Sequence, residues 1–173
     1  NAVAIGLLHA YAFDTHEKRV RAALQKHLPS SITICLSSEV APEVREYERF
    51  STTVANAYVR PLMAGYLTRL RDGLAAMNLT APLYLMMSGG GLTTLETACR
   101  FPIRLVESGP AGGAILASRM ARSLRLPEVV AFDMGGTTAK ICLISNHEPE
   151  RAHRFEIARA YKKLAKQYHP DAN

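Results

Sequence analysis

The run Phe132-Asp133-Met134-Gly135-Gly136-Thr137-Thr138-Ala139-Lys140 contains the residue types that a phosphate site needs. Val129-Val130-Ala131-Phe132-Asp133 reads as a strand entering it and Lys140-Ile141-Cys142-Leu143-Ile144 as a strand leaving it, so the tip is a hairpin that presents backbone N–H groups. Gly135 and Gly136 permit the backbone angles and the close approach that phosphate oxygens require, and Thr137 and Thr138 add hydroxyl donors. Asp133 would repel a phosphate directly, but it suits a hydrated Mg2+ that bridges phosphates; Lys140, turned toward the loop, would supply positive charge. The Gly-Lys-Ser/Thr ending and following helix of a Walker loop are absent, as is a dinucleotide fingerprint. The structural alternative is a tight hairpin turn stabilised by glycine.

Two further glycine-rich runs offer backbone donors. Glu107-Ser108-Gly109-Pro110-Ala111-Gly112-Gly113 opens a helix, where orphan N–H groups and the positive dipole end favour an anion; the alternative is close helix–strand packing. Ser88-Gly89-Gly90-Gly91 follows a strand in the same way, with a flexible turn as its alternative. Glu107 could support a nucleotide site or pair with Arg104. The histidines do not converge by spacing, and the three cysteines, Cys35, Cys99 and Cys142, lie far apart without a CxxC pair, as expected of reduced thiols in a cytoplasmic protein.

Periodicity suggests how these loops are carried. The apolar run of residues 2–8 reads as a buried strand, then a helix starts at Asp14 or Thr15 and stops at Pro29, with Val20, Ala23, Leu24 and Leu28 at helical spacing. Residues 32–36 form a second buried strand, completing a βαβ unit of a parallel sheet. Residues 51–77 read as one long helix or a pair broken near Pro61, with Val54, Tyr58, Leu62, Tyr66, Leu67, Leu70 and Leu74 on a packed side. Residues 83–87 and 103–106 are further predicted strands, and a helix runs from the second glycine run to about Leu124. Three strands are thus expected to end in glycine-rich loops.

The 173 residues are 48% hydrophobic and 21% charged, enough for one domain that buries roughly two-thirds of its unfolded surface. The net charge of +6 is spread along the chain apart from a C-terminal cluster, so nucleic acid is not implied. No apolar run reaches the ~20 residues of a membrane span. The start at Asn1, without Met, reads as an excerpt beginning inside a strand.

Taken together, the motifs resemble the hydantoinase A/5-oxoprolinase family, whose members include acetone and acetophenone carboxylase subunits. The resemblance spans residues 2–160 and rests on Leu-Leu-His-Ala-Tyr (7–11), Ser-Ser-Glu-Val-Ala-Pro-Glu-Val-Arg-Glu-Tyr-Glu-Arg (37–49), Ser-Thr-Thr-Val-Ala-Asn-Ala-Tyr-Val (51–59), Ser-Gly-Gly-Gly (88–91), Glu-Ser-Gly-Pro-Ala-Gly-Gly (107–113) and the 132–140 run. It implies an α/β, actin/hexokinase/Hsp70-like (ribonuclease-H-like) ATPase fold, here partial and followed by a C-terminal helix. ATP and Mg2+ are the implied cofactors. Asp133 would be the metal ligand, and Gly135, Gly136, Thr137, Thr138, Lys140, Gly109, Gly112, Gly113, Ser88, Gly89 and Gly90 would line the nucleotide site. The implied reaction phosphorylates the oxygen of a cyclic amide (hydantoin, oxoproline) or ketone, for ring hydrolysis or carboxylation.

Departures from the family pattern set further expectations. No Asp-x-Gly-Gly-Thr precedes residue 133, so the implied N-terminal half is missing, a second, B-type subunit is an expected partner, and little catalysis is expected of this chain alone. Lys140 resembles the carboxylase and methylhydantoinase branch. A sugar or acetate kinase of the same fold is not supported by the 107–113 run.

Residues 1–155 are read as the ATP-binding domain and 156–173 as a separate amphipathic helix. The latter resembles the second helix and His-Pro-Asp loop of a J-domain: Ile157, Ala160, Tyr161, Leu164 and Tyr168 are apolar, with Lys162, Lys163 and Lys166 on the other face. An Hsp70-binding cochaperone fragment is therefore the alternative function, although the first and third J-domain helices are not recognisable.

Overall fold

A computed structural model describes residues 2–135 and 138–150. Gly136, Thr137 and the whole J-like segment with its boundary near 155 lie outside the described residues. The chain divides into two compact units between Gly112 and Gly113, a division inside the stretch read as one domain.

The first unit is built on a βαβ element. Strands β1 (Ala2–Ile5) and β2 (Thr33–Leu36) pair in parallel from Ala2↔Thr33 to Ile5↔Leu36, joined by helix α1 (Thr15–Gln25). Strand β1 ends sooner than its apolar run suggests, because the chain turns at Gly6, where a Cβ would collide with the Phe50 ring. The one-turn helix α2 (Ser37–Val40) continues directly from β2. Helix α3 (Glu46–Ala76) then packs on both strands. Cys35, Val40 and Ala57 form the core cluster, with Ala2, Ala4, Ala41, Phe101 and Ile103 packed around it.

Helix α3 differs from the predicted orientation, and α1 buries little of its apolar side. Of α1 only Glu17 is buried, while Val20 and Ala23 are exposed. Helix α3 is one continuous helix through Pro61 and begins five residues before Ser51. Its buried residues are Arg49, Thr53, Asn56, Ala57 and Leu67, whereas Val54, Tyr58, Leu62 and Tyr66 point outward. The reason is hydrogen bonding: the polar side chains of the inner face have carbonyl and hydroxyl partners in the strands and loops beneath them, so burying them costs little.

Strands β3 (Tyr84–Met86) and β4 (Leu92–Thr94) form an antiparallel hairpin, and the Thr94 hydroxyl caps helix α4 (Leu95–Arg100) by accepting from the Thr97 N–H. The predicted strand at 103–106 is instead a 3-10 helix, Pro102–Leu105. Pro102 lacks a ladder donor and suits a helical first turn. Asn56 supplies the partners a sheet would have given: its Nδ2 donates to the Arg100 carbonyl (3.2 Å) and its Oδ1 accepts from the Ile103 N–H (3.2 Å). Two strands, not three, therefore enter glycine-rich loops. Helix α5 (Ser108–Ser123) follows and contains the division between the units.

In the second unit β5 (Glu128–Met134), β6 (Ala139–Ser145) and β7 (Glu148–Pro149) form an antiparallel sheet in that order. Asn146 and His147, both at positive φ (53° and 66°), make the two-residue turn between β6 and β7. The Ser118 hydroxyl of α5 donates to the His147 carbonyl at 2.6 Å, and Ala114, Ala121 and Ile144 are buried in this unit.

Candidate phosphate-binding site

The register of β5 and β6 defines the leading candidate. Asp133 pairs with Lys140 and Met134 with Ala139, and the Gly135 N–H donates to the Thr138 carbonyl at 2.9 Å. The described ladder thus closes with Gly135 and Thr138. As direct cross-strand partners, Asp133 and Lys140 lie on the same face of the hairpin. Asp133 is exposed and Lys140 half-buried. An acid and a base of opposite charge therefore flank the tip where the phosphate site was expected. Gly135 spends its own amide on the ladder, so its use to a ligand is close backbone approach rather than donation.

Among the described residues no cluster of three or more His, Cys, Asp or Glu could hold a metal on its own. A cation at Asp133 would have to complete its shell with water and phosphate oxygens, which is how Mg2+ is commonly bound.

The 107–113 run opens α5 as expected. A Cβ on Gly109, Gly112 or Gly113 would meet nothing within 4 Å, so close helix–strand packing does not account for these glycines. Each costs the helix roughly 1 kcal/mol relative to alanine. The turn before them is also unusual: Glu107 has φ 67°, a left-handed conformation that non-glycine residues adopt at a cost of about 1 kcal/mol or more. Arg104 lies over the Phe101 ring (4.7 Å), and its Nη2 donates to the Glu39 and Val40 carbonyls.

The Ser88 loop is bound to the same stretch of chain. The Ser88 N–H (2.8 Å) and hydroxyl (3.1 Å) both donate to the Arg104 carbonyl, and the Gly90 N–H donates to the Met87 carbonyl (2.9 Å). Gly90 has φ 81°, which only glycine adopts easily. With two of its amides engaged, this loop has the geometry of a tight hairpin turn, and Gly89, with open space around it, is its approachable position.

A second polar centre escaped the sequence reading although Leu7, Ser37, Ser38 and Arg49 of it lie in two motifs that carried the resemblance. The fully buried Glu17 carboxylate accepts from the Leu7 N–H (3.0 Å), the Ser37 hydroxyl (2.6 Å), and the Ser38 N–H (2.9 Å) and hydroxyl (2.7 Å). Burial by itself raises its pKa, but these hydrogen bonds, led by the Ser37 hydroxyl, leave it below the ordinary value. Fully buried Arg49 donates to the Ser37 hydroxyl and to the Leu7, Glu43 and Val44 carbonyls, with its guanidinium over the Phe50 (5.0 Å) and Tyr11 (5.6 Å) rings. The signal that could have revealed it is the Ser37-Ser38 pair at the end of an apolar strand, where a buried hydroxyl needs a partner. These residues knit the loop after β1 to the starts of α2 and α3.

Among the described residues no helix is long and apolar enough to cross a membrane.

The model of the hydantoinase/oxoprolinase family matches residues 49–167. An uncharacterized protein of Methanocaldococcus jannaschii is 41% identical over 155 residues, covering 90% of this chain and 23% of its own length. Caprolactamase subunit alpha of Pseudomonas jessenii is 33% identical, covering 82% of this chain and 20% of that one. The crystal structure of the ATP-dependent caprolactamase from the same organism matches with a TM-score of 0.70 at 32% identity, over 83% of this chain and 20% of that chain. Nucleotide-free acetone carboxylase matches with a TM-score of 0.75 at 24% identity, over 87% and 22%, a likeness of fold. The chain thus spans less than a quarter of the length of these proteins. The family match reaches residue 167, well into the J-like segment, and these comparisons give no support to the cochaperone reading.

Proposed function

Because the chain belongs to the hydantoinase/oxoprolinase family, we propose that it supplies the phosphate-binding part of an ATP-dependent enzyme that activates a cyclic amide or ketone carbonyl by phosphorylation. The observation that carries the proposal is the β5–β6 hairpin, whose register sets Asp133 and Lys140 side by side near the end of its ladder. In this reading Gly135, Gly136, Thr137 and Thr138 accommodate phosphate oxygens, Lys140 offsets their charge, and Asp133 holds Mg2+ through water or directly. Gly109, Gly112 and Gly113 keep the N-terminus of α5 open to an anion, which accounts for glycines that no packing requires. Ser88, Gly89 and Gly90 complete the nucleotide-binding set, with Gly89 as the point of approach.

The chemistry follows from charge. An amide nitrogen is a poor leaving group and an amide carbonyl carbon a weak electrophile. Transfer of the γ-phosphoryl group of ATP to that oxygen releases ADP and yields a carbon that water can attack, or, from a ketone enolate, an activated partner for carboxylation. A protein contributes to such transfers mainly by positioning and charge stabilisation. The proposed fold is a partial actin/hexokinase/Hsp70-like ATPase acting in the cytoplasm, with a further half and a B-type subunit completing the enzyme, as befits a chain a fifth the length of a caprolactamase subunit.

Isothermal titration of the chain with Mg·ATP, beside Asp133→Ala, tests this reading. The native chain should bind with a single-site isotherm that Asp133→Ala weakens at least about tenfold. Equal affinities, or no heat from either, would leave the hairpin a structural turn.

A further inference from the structure

Ser88 spends both of its donors inside the chain: its N–H (2.8 Å) and its hydroxyl (3.1 Å) go to the one carbonyl of Arg104. What remains on its oxygen is acceptor capacity, which a phosphate, itself an acceptor, cannot use. The residue is exposed, so no buried polar group demands this hydroxyl. Its effect is to tie the 88–91 turn twice to the same peptide.

That peptide is itself held from two other sides. Fully buried Asn56 of α3 donates from Nδ2 to the Arg100 carbonyl (3.2 Å) and to the Cys35 sulfur (3.5 Å), while its Oδ1 accepts from the Ile103 N–H (3.2 Å). The Arg104 guanidinium donates to the Glu39 (3.4 Å) and Val40 (3.3 Å) carbonyls at the end of α2. Residues 100–104 are thus tied to β2, α2 and α3, and four residues after Arg104 the chain begins α5. The Gly89 turn and the Gly109 and Gly112 positions of α5 therefore hang from one clamped segment.

We propose that Asn56 and Ser88 are positioning residues for the nucleotide. Neither touches it. Through residues 100–104 they fix the spacing between the Gly89 turn and the first turn of α5, so that both present their backbones to one polyphosphate. Side chains that lock a ligand-facing backbone from behind give a site its precision. The inference rests on the reading of these two glycine-rich runs as nucleotide-binding.

The test is Mg·ATP titration of the native chain, Ser88→Ala, Ser88→Thr, Asn56→Asp and the double variant Ser88→Ala/Asn56→Asp. Ser88→Ala, an exposed change, should weaken binding about three- to tenfold with little change in thermal midpoint, and Ser88→Thr, which keeps the hydroxyl, should bind as the native chain does. Asn56→Asp keeps the Ile103 bond but turns an acceptor toward the Arg100 carbonyl, and should weaken binding about tenfold. Because both act through one segment, the double variant should be at most about twofold weaker than the weaker single variant. In the ligand-free 15N-labelled chain, Ser88→Ala should shift the Leu105 and Gly109 amides and leave those of β1 and β2 in place. The Ser88 pair and these shifts decide the matter even where Asn56→Asp does not fold. Native affinity in Ser88→Ala, no rescue by Ser88→Thr, additive losses in the double variant, or an unmoved Gly109 amide would overturn the inference and leave the nucleotide reading standing. Absence of binding by the native chain would overturn both.

Discussion

Arg49 and Glu17 show how two charges can be buried at little cost when every polar atom near them has a partner. Arg49→Met would leave the Leu7, Glu43 and Val44 carbonyls without their donor and should destabilise the chain by about 3 kcal/mol or more in urea unfolding at neutral pH. Glu17 carries a pH signature. Its folded pKa lies below its unfolded value of 4.5, so its contribution is complete above that value and is lost as pH falls through the depressed folded one. Glu17→Gln should therefore cost about 1–2 kcal/mol at pH 7 and flatten the loss of stability on acidification below 4.5. A variant with the native acid profile would contradict this role. Neither residue was legible as buried, because charged side chains default to the surface and several of the partners that reverse this lie 10 to 42 positions away in the chain.

Among the elements, what could be read was what local pattern determines. The two continuous apolar runs gave the parallel β1–β2 pair, and glycine and threonine placement gave the β5–β6 hairpin and the α5 start. The orientation of α1 and α3 could not be read, since periodicity identifies an apolar side and only tertiary partners decide which side is covered. The 103–106 stretch failed for a similar reason: Asn56, 47 residues before Ile103, supplies the hydrogen bond that a sheet neighbour would have made. Helix α5 offers a test of purpose. Gly112→Ala and Gly113→Ala, with open space at each, should each stabilise the chain by about 0.5–1 kcal/mol in thermal unfolding while weakening Mg·ATP binding. If both variants gain stability and bind as before, the glycines have no ligand to accommodate.

For the whole molecule, family membership accounts for the order of the motifs. A stretch that makes up 20–23% of the matched caprolactamase subunit and the Methanocaldococcus jannaschii relative leaves large apolar side chains exposed on α3, on α5 and on the β5–β6 hairpin. The central claim concerns one loop. Backbone amide shifts of the 15N-labelled chain, followed as Mg·ATP is added and compared with Mg2+ alone, report directly on where phosphate sits. The amides of Gly135, Gly136, Thr137 and Thr138 should move together with one saturation curve, while those of the β3–β4 strands stay in place. Saturating shifts confined to residues outside 133–140, with the hairpin amides unmoved, would contradict the assignment of this loop to phosphate.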